Sequence, residues 1–235
     1  MSGHLNPGGQ QFRDDDGAAD PYVTAALSAY YAGEGSEQDA LTALAAARLL
    51  VPVVAVLADG PTASGDRAAE GDKNSEMVLP TLIGQDGRPA VLAFTGLDTL
   101  ARWRPNARPV PAEAGRVWRA AVADGCAVVI DVAGPVPLAV EGLRLAALAA
   151  GRPVPPVHED GDVHAEVEAA IAAEPVIAGF SLAPSQQVDL AVRLHLATGD
   201  WQPAVNQVAQ SIAGRLAGRL RRGVEFSVTR DPVGS

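Results

Sequence analysis

The sequence predicts an α+β fold: a mixed-sheet N-terminal domain with flanking helices, followed by a smaller ferredoxin-like α/β sandwich. Two stretches lead to this prediction. Residues 77–103 contain two short apolar segments, a turn and a helical pattern. Residues 164–228 run in the order helix, strand, strand, helix, strand. That order suits a small α+β sandwich, which is ferredoxin-like if residues 154–157 supply a first strand.

A β-hairpin is predicted from residues 77–83 and 90–94, which are apolar and have the length of strands. The intervening GQDGRP contains an Asp-Gly dipeptide, which favours a tight turn because glycine adopts positive φ without steric cost. Pro80 has no amide hydrogen, so its strand is predicted to lie at a sheet edge or to bulge there.

A short helix is predicted after the hairpin. Thr95 stands at the N-cap position and Asp98 follows three residues later, which is the pattern of a capping box. Leu97, Leu100 and Trp103 then recur at helical spacing, and a proline two residues further on ends the helix.

Apolar periodicity predicts the remaining elements. In the N-terminal domain these are helices over 21–32, 36–49, 112–124 and 140–150 and strands over 50–57 and 126–132. In the C-terminal domain they are helices over 164–173 and 202–220 and strands over 176–182, 188–196 and 224–228. Apolar and polar residues alternate within 188–196, so one face of that strand is predicted to be buried.

The predicted domain organisation has three parts. Residues 1–20 are polar and read as a disordered tail, residues 21–157 form the first domain, and residues 158–235 form the second. Within the first domain, residues 58–75 are rich in Gly, Asp and Ala and are predicted to be a flexible loop.

Charge and composition exclude several classes of protein. The net charge of −10 argues against nucleic-acid binding, which requires a cationic surface. No apolar run has the length of a membrane span, and the N-terminus has no basic and apolar signal region. A single cysteine allows no intramolecular disulfide. We therefore expect a cytoplasmic protein that binds neither nucleic acid nor membrane.

The residues that suggest catalysis are few. Gly60 and Gly65 have the spacing of a phosphate-binding loop, but Asp66 and Arg67 occupy the positions of the lysine and hydroxyl that such a loop needs. Cys126 begins an apolar strand, far in sequence from any histidine that could activate it. The sequence therefore predicts no catalytic residue and no cofactor.

Metal ligation has three weak candidates: His158, Asp160 and His164. Imidazole and carboxylate groups can hold a divalent cation, but this spacing matches no standard zinc pattern. A short acidic linker between domains explains the same residues.

The strongest indication of binding is arginine interleaved with tryptophan. Arg102, Trp103 and Arg104 end one predicted helix, and Trp118 lies in the next. Tryptophan and arginine are enriched among the residues that dominate interface energetics. Asp131, at the end of a predicted strand, completes the candidate binding residues. The alternative is that the tryptophans anchor the core and the arginines coat the surface.

A second group of arginines lies in the last predicted helix. Arg215, Arg219 and Arg222 recur at intervals of four and three residues, so they are predicted to share a helical face. That face could meet an acidic partner, the acidic N-terminal half of the chain itself, or solvent.

The hairpin region resembles the N-terminal domain of the SseB family, a bacterial group common in actinobacteria. The shared features are a Leu-Pro segment, an Asp-Gly turn, a Phe-Thr pair and a short helix that ends in tryptophan. The resemblance continues through AVVIDVAGPVPLAVEGLRLAALAAG, covers residues 21–151 and extends more loosely to the C-terminal third. Asp131 and Gly96 depart from the family, which often has asparagine and serine there. Because most members have no defined function, the resemblance implies a fold rather than an activity.

The expected function is that of a non-enzymatic interaction or accessory protein. Its first domain is expected to bind an unknown protein partner, or a second copy of the chain, through a surface near Trp103, Arg104 and residues 131–137. The alternative is a small-ligand or metal-binding sensor or enzyme with a site between the two domains, using Asp131, His158 or His164.

Overall fold

A computed structural model describes residues 12, 14–57, 75–78, 81–83, 87–197 and 201–230. In chain order the elements are α1 (Pro21–Ala32), α2 (Glu37–Ala45), β1 (Arg48–Leu57), β2 (Ser75–Val78), β3 (Thr81–Ile83), β4 (Pro89–Ala93), α3 (Leu97–Trp103), β5 (Arg108–Glu113), α4 (Ala114–Ala123), β6 (Ala127–Ile130), β7 (Leu138–Val140), α5 (Gly142–Ala149), a 3₁₀ helix (Val157–Glu159), α6 (Gly161–Ile171), β8 (Ile177–Ala183), β9 (Leu190–Leu196), α7 (Gln202–Leu216) and β10 (Val224–Arg230). Helices and three small sheets together confirm the predicted α+β class.

The chain divides into two compact units. Unit 1 consists of Met1–Asp20 and Arg48–Val140, and unit 2 consists of Pro21–Ala47 and Glu141–Ser235. The first two helices therefore group with the C-terminal elements rather than with the strands that follow them in sequence. The domain boundaries drawn from the sequence, 21–157 and 158–235, stay a prediction.

The described residues of unit 1 form two sheets. The first has the strand order β2-β1-β5, with antiparallel pairing throughout. The second has the order β3-β4-β6-β7, in which β4 and β6 are parallel and the other pairs are antiparallel. Reciprocal backbone hydrogen bonds of 2.7 and 2.8 Å between Leu50 and Phe94 connect β1 to the end of β4.

The predicted hairpin is confirmed in part. β3 pairs with β4, and Leu82 lies opposite Ala90. The single strand predicted over residues 77–83 is wrong, because β2 pairs with β1 instead and only β3 continues into the hairpin. Pro80 and residues 58–74, with the glycines of the phosphate-loop pattern, lie outside the described residues.

The predicted capping box at α3 is also wrong. The N-cap residue is Gly96, which has no side chain to cap with. Thr95 instead directs its hydroxyl and its amide to the carboxylate of Asp131. Charge-assisted hydrogen bonds to the buried Asp131 carboxylate thus use the amide and the hydroxyl of Thr95 that a local cap would have used.

Part of the predicted disordered tail is attached to unit 1. Arg48 Nε lies 2.7 Å from a carboxylate oxygen of Asp15, and the amide of Leu97 donates to the carbonyl of Gly17 at 2.9 Å. Residues 1–11 and 13 of that tail lie outside the described residues.

In unit 2 the described residues form a three-stranded sheet with the order β10-β9-β8. β8 and β9 are antiparallel, and α7 forms the crossover between the parallel strands β9 and β10. The predicted alternation is confirmed, since Leu190, Val192, Leu194 and Leu196 of β9 are all buried in the core. The ferredoxin-like arrangement is not confirmed: residues 154–156 form no strand, and Val157 starts the 3₁₀ helix. In the described part of the chain no helix is long and apolar enough to cross a membrane.

Candidate functional site

The candidate binding residues lie where α3 ends. Leu100 is buried with Leu50, Leu92 and Phe94 in a small core, which fixes α3 to its neighbouring strands. Trp103, at the last turn of α3, is half-buried against this core, with its ring centroid 5.6 Å from that of Phe94. One face of the indole is therefore held by packing while part of the ring remains accessible.

Three exposed arginines lie near this tryptophan in the sequence, and one of them contacts its ring. The Arg104 guanidinium lies 5.1 Å from the centre of the Trp103 ring, within the range of a cation–π contact. Arg102 precedes it on α3, and Arg108 begins β5 after a turn in which the Ala107 amide donates to the Arg104 carbonyl at 3.1 Å. We call Arg102, Trp103, Arg104 and Arg108 the tryptophan–arginine surface. All three of its arginines are exposed.

These arginines differ in their charge environment from four other arginines in the described part of the chain. Arg48, Arg144, Arg215 and Arg219 each lie within salt-bridge distance of a carboxylate. Among the described residues, Arg102, Arg104 and Arg108 form no salt bridge, although the chain as a whole carries ten more acidic than basic side chains. The surface therefore presents local positive charge on an acidic protein.

Asp131 supports this surface without forming part of it. It follows β6, is buried, and adopts a left-handed conformation with φ of 48°. Its carboxylate accepts hydrogen bonds from the Thr95 amide at 2.9 Å, the Thr95 hydroxyl at 2.7 Å and the Thr99 hydroxyl at 2.5 Å. Both oxygens are thus occupied by groups at the start of α3. Asp131 fixes the helix whose other end carries Trp103.

The part of the chain that contains this surface matches a known protein family. The sequence profile of the SseB protein N-terminal domain matches residues 23–147, which is more than half of the chain. The chain belongs to the SseB family. No curated protein and no solved structure matches it. The match includes α3, the tryptophan–arginine surface and Asp131, so the site lies within the part of the chain that defines the family.

Trp118 has a different role from Trp103 in this SseB-family chain. It lies on α4 with no exposed area, beside the buried residues Val117 and Ala121. Its indole nitrogen has no hydrogen-bond partner among the described residues. Trp118 is therefore a core residue. The two tryptophans have similar sequence surroundings but differ in exposure, since Trp103 remains partly accessible.

The three weak metal candidates lie in different environments. His158 Nε2 is 3.5 Å from the Glu159 carboxylate, and the His164 ring packs on Phe180 with 4.5 Å between centroids. Asp160 is fully buried, caps α6 by accepting from the Asp162 amide, and pairs with Arg219 at 2.7 Å. No group of three or more potential metal ligands occurs in the part of the chain that the structure describes.

Cys126 lies beside the turn between α4 and β6, where its thiol donates to the Asp124 carbonyl at 3.5 Å. Burial raises the pKa of the thiol, and the nearby charge of Asp124 raises it further. Both effects disfavour the thiolate, which is the reactive form. The environment is the opposite of the one that activates a catalytic cysteine.

A small cleft in unit 2 brings together residue types that sequence reasoning did not connect. It has a volume of about 150 Å³, and its lining includes His158, Ser185 and Asp189. The Ser185 hydroxyl accepts from the amides of Gln187 and Val188, and Asp189 accepts from the Arg222 amide. Among the described residues no hydrogen bond joins His158, Ser185 and Asp189, so the three do not form a nucleophile–base relay. The cleft is also smaller than the roughly 300–1,000 Å³ typical of ligand sites.

Sequence reasoning missed a buried ionic network in unit 2. Glu37 on α2 pairs with Arg144 on α5 and, at 2.9 Å, with Arg219, which also pairs with Asp160. Burial by itself lowers the pKa of Arg219, but its hydrogen bonds and charge interactions with Glu37 and Asp160 outweigh this and raise the pKa. An arginine within the apolar helix GLRLAALA was the available signal, because such a residue is rarely buried without a partner.

The second arginine group is accounted for by this network and its neighbours. Arg215 pairs with Glu166 at 2.8 Å, Arg219 joins the network, and the Arg222 guanidinium donates to the Gln186 carbonyl. The predicted shared helical face is wrong, because α7 ends at Leu216, before Arg219 and Arg222.

Proposed function

We propose that this SseB-family protein is a non-enzymatic interaction module that binds an acidic segment of a protein partner through the tryptophan–arginine surface. One observation carries the proposal: Trp103 is half-buried against Phe94 with the Arg104 guanidinium over its ring, and Arg104 and its sequence neighbours Arg102 and Arg108 have no carboxylate partner among the described residues.

The chemistry of this surface supports an acidic partner. Arginine binds carboxylates through paired hydrogen bonds, which are stronger than bonds between neutral groups. A preordered tryptophan contributes large apolar area with little loss of side-chain freedom on binding. A partner segment with carboxylates beside an apolar or aromatic residue therefore matches both components. Because the charges are exposed, binding is expected to weaken as salt concentration rises.

The test is affinity capture with the full-length chain as bait and quantification of the captured proteins by mass spectrometry. We expect Arg104→Glu and Trp103→Ala to lose the same partner that the wild-type chain retains. Arg119→Glu is the matched control: Arg119 is exposed on α4 and its replacement changes the charge by the same amount. Equal partner recovery by the wild type, Arg104→Glu and Trp103→Ala would reject the proposal.

Folding must be checked separately for the tryptophan variant. Trp103 packs on the small core beneath α3, so Trp103→Ala removes core contacts as well as surface area. Arg102→Glu and Arg104→Glu leave that core unchanged, and circular dichroism should show them as folded as the wild type. Loss of partner recovery in these two variants therefore reports on the surface alone.

Thermal-shift measurements on the full chain distinguish the interaction module from the alternative, a sensor of small ligands or metals. Stabilisation by divalent cations or nucleotides, unaffected by Arg104→Glu, would favour the sensor over the interaction module.

A further inference from the structure

The outer edge of β10 is open. β10 pairs with β9 on one side only, and in the described part of the chain no strand pairs with its other side. Five of its seven residues are exposed, including Val228 at 40 %. An unpaired strand edge presents a row of backbone donors and acceptors, to which another strand can add.

The two edges of this sheet differ in how they are protected. β8, at the opposite edge, has a register irregularity between Ile177 and Gly179, and a proline precedes and another follows the strand. Irregularities and prolines are common means of preventing edge-to-edge pairing. β10 has neither feature: its seven residues pair with β9 in unbroken register, and it contains no proline or lysine.

The apolar residues of β10 lie on the face of the sheet that carries the core. Phe226 lies beside Val192 and Val228 beside Leu194, both of which are buried core residues of β9. Phe226 is partly buried against this core, whereas Val228, nearer the end of the strand, is exposed. The apolar face of the sheet therefore extends to Val228, beyond the part that is buried against the core of unit 2.

We propose that two copies of the chain associate through antiparallel pairing of β10 with β10, centred on Ser227. In this register Phe226 of each copy faces Val228 of the other, which covers the exposed valine with an aromatic cross-strand neighbour. Ser227 faces its own equivalent on the twofold axis, where a small side chain fits. This inference concerns unit 2 and does not depend on the tryptophan–arginine surface.

The charges of β10 are compatible with this register. Glu225 faces Thr229 of the other copy, and Arg230 faces Val224, so no like charges oppose each other. Shifting the centre to Phe226 would place two phenylalanines on the axis, and shifting it to Val228 would place Arg230 opposite Phe226. All three centres are compatible with a twofold axis, and the one at Ser227 is the one that places apolar residues opposite each other with a small residue on the axis.

The interface expected from this pairing is small. Stable interfaces bury about 1,200–2,000 Å² in total, and one pair of seven-residue strands with its flanking side chains falls at or below that range. We therefore expect reversible, concentration-dependent dimers rather than a permanent dimer.

The first experiment is analytical ultracentrifugation of the full-length chain from micromolar to millimolar concentration. The wild type is expected to shift from monomer to dimer, and Val228→Lys is expected to stay monomeric because it places a charge opposite Phe226. Ser181→Lys, an exposed position on β8, is the matched control and should dimerise as the wild type does. A wild-type monomer throughout the range, or a dimer unaffected by Val228→Lys, would overturn the proposal.

The second experiment tests the register by disulfide cross-linking in a Cys126→Ser background. Ser227→Cys should cross-link readily on oxidation, because residues opposed in an antiparallel pair have Cα atoms about 4.5–5.5 Å apart, within disulfide range. Thr229→Cys lies on the same strand, but its two copies would be about 13 Å apart and should not cross-link. Equal cross-linking at the two positions, or at Ser181→Cys, would refute the pairing even if the protein proved to be a dimer.

Discussion

The buried ionic network predicts that removing one carboxylate will destabilise unit 2 strongly. In Glu37→Gln the acceptor oxygen is kept and the negative charge is lost. The side chains of Glu37 and Arg144 are only 4 % and 5 % exposed. Arg219 would still have Asp160 at 2.7 Å, but Arg144 would keep its positive charge with no carboxylate partner among the described residues.

The magnitude follows from that unpaired charge. Breaking a buried ion pair by removing one partner costs about 3–5 kcal/mol. We expect Glu37→Gln near the lower end of this range, because the amide oxygen can still accept from an arginine. Glu166→Gln is the matched control: its pair with Arg215 has side chains 44 % and 45 % exposed, and such pairs contribute about 0–1 kcal/mol.

The assay is urea unfolding followed by circular dichroism and tryptophan fluorescence. Trp201 packs against the core of unit 2 and reports on its unfolding. With a slope of about 1–3 kcal/mol per molar urea, a loss of about 3 kcal/mol lowers the midpoint by about 1–3 M. Arg144→Met added to Glu37→Gln should recover much of the loss, because no unpaired charge then remains. A midpoint shift no larger than that of Glu166→Gln, or additive losses in the double variant, would refute the reasoning.

Three further predictions concern single groups. Asp131→Ala should lower the unfolding free energy by about 3–5 kcal/mol, because it leaves buried donors unsatisfied and places alanine in a left-handed conformation. Asp131→Asn, the residue that the family often has, should lower it by only about 1 kcal/mol. Equal losses of stability for the two variants in thermal unfolding would contradict this. Tyr30 has a raised pKa because of burial and the charge of Glu37, so its stabilising contribution is complete below pH 10 and is lost as pH rises through the raised pKa. The stability difference between wild type and Tyr30→Phe should therefore narrow in alkaline urea titrations, and a widening difference would contradict the sign. Because its pKa is raised, Cys126 should react with iodoacetamide at neutral pH more slowly than cysteine in an unfolded peptide, and a faster reaction would show that the thiol is activated.

Local pattern was sufficient for much of the fold. The alternation in β9 correctly identified its buried face, and the Asp-Gly turn placed the hairpin of β3 and β4. Two strands were missed. β5 carries Pro109 and Pro111, which argue against a strand, but it lies at the edge of its sheet, where alternate residues need no amide hydrogen for the ladder. β7 has three residues, too few to show a period.

The candidate site was predictable as a set of residue types but not as an arrangement. Arg102 and Arg104 are exposed and Trp103 is half-buried against the core, which both the binding hypothesis and its alternative allow, whereas Trp118 lies in the core, as the alternative held. Both tryptophans lie in amphipathic helical segments, so the sequence could not separate them. Asp131 was predicted as a binding residue; the structure shows it buried, with its carboxylate holding the start of α3.

The sequence by itself determined the elements with strong apolar periodicity, the acidic net charge and the lack of a cysteine pair. These properties depend on composition or on backbone geometry within a few residues. The tertiary structure decided which charges meet, as with Arg219 and Glu37, which are 182 residues apart, and which of two similar tryptophans remains accessible. It also decided that α1 and α2 group with the C-terminal elements. Such outcomes depend on which distant segments pack together, and the free energy of that packing is not encoded in any local repeat.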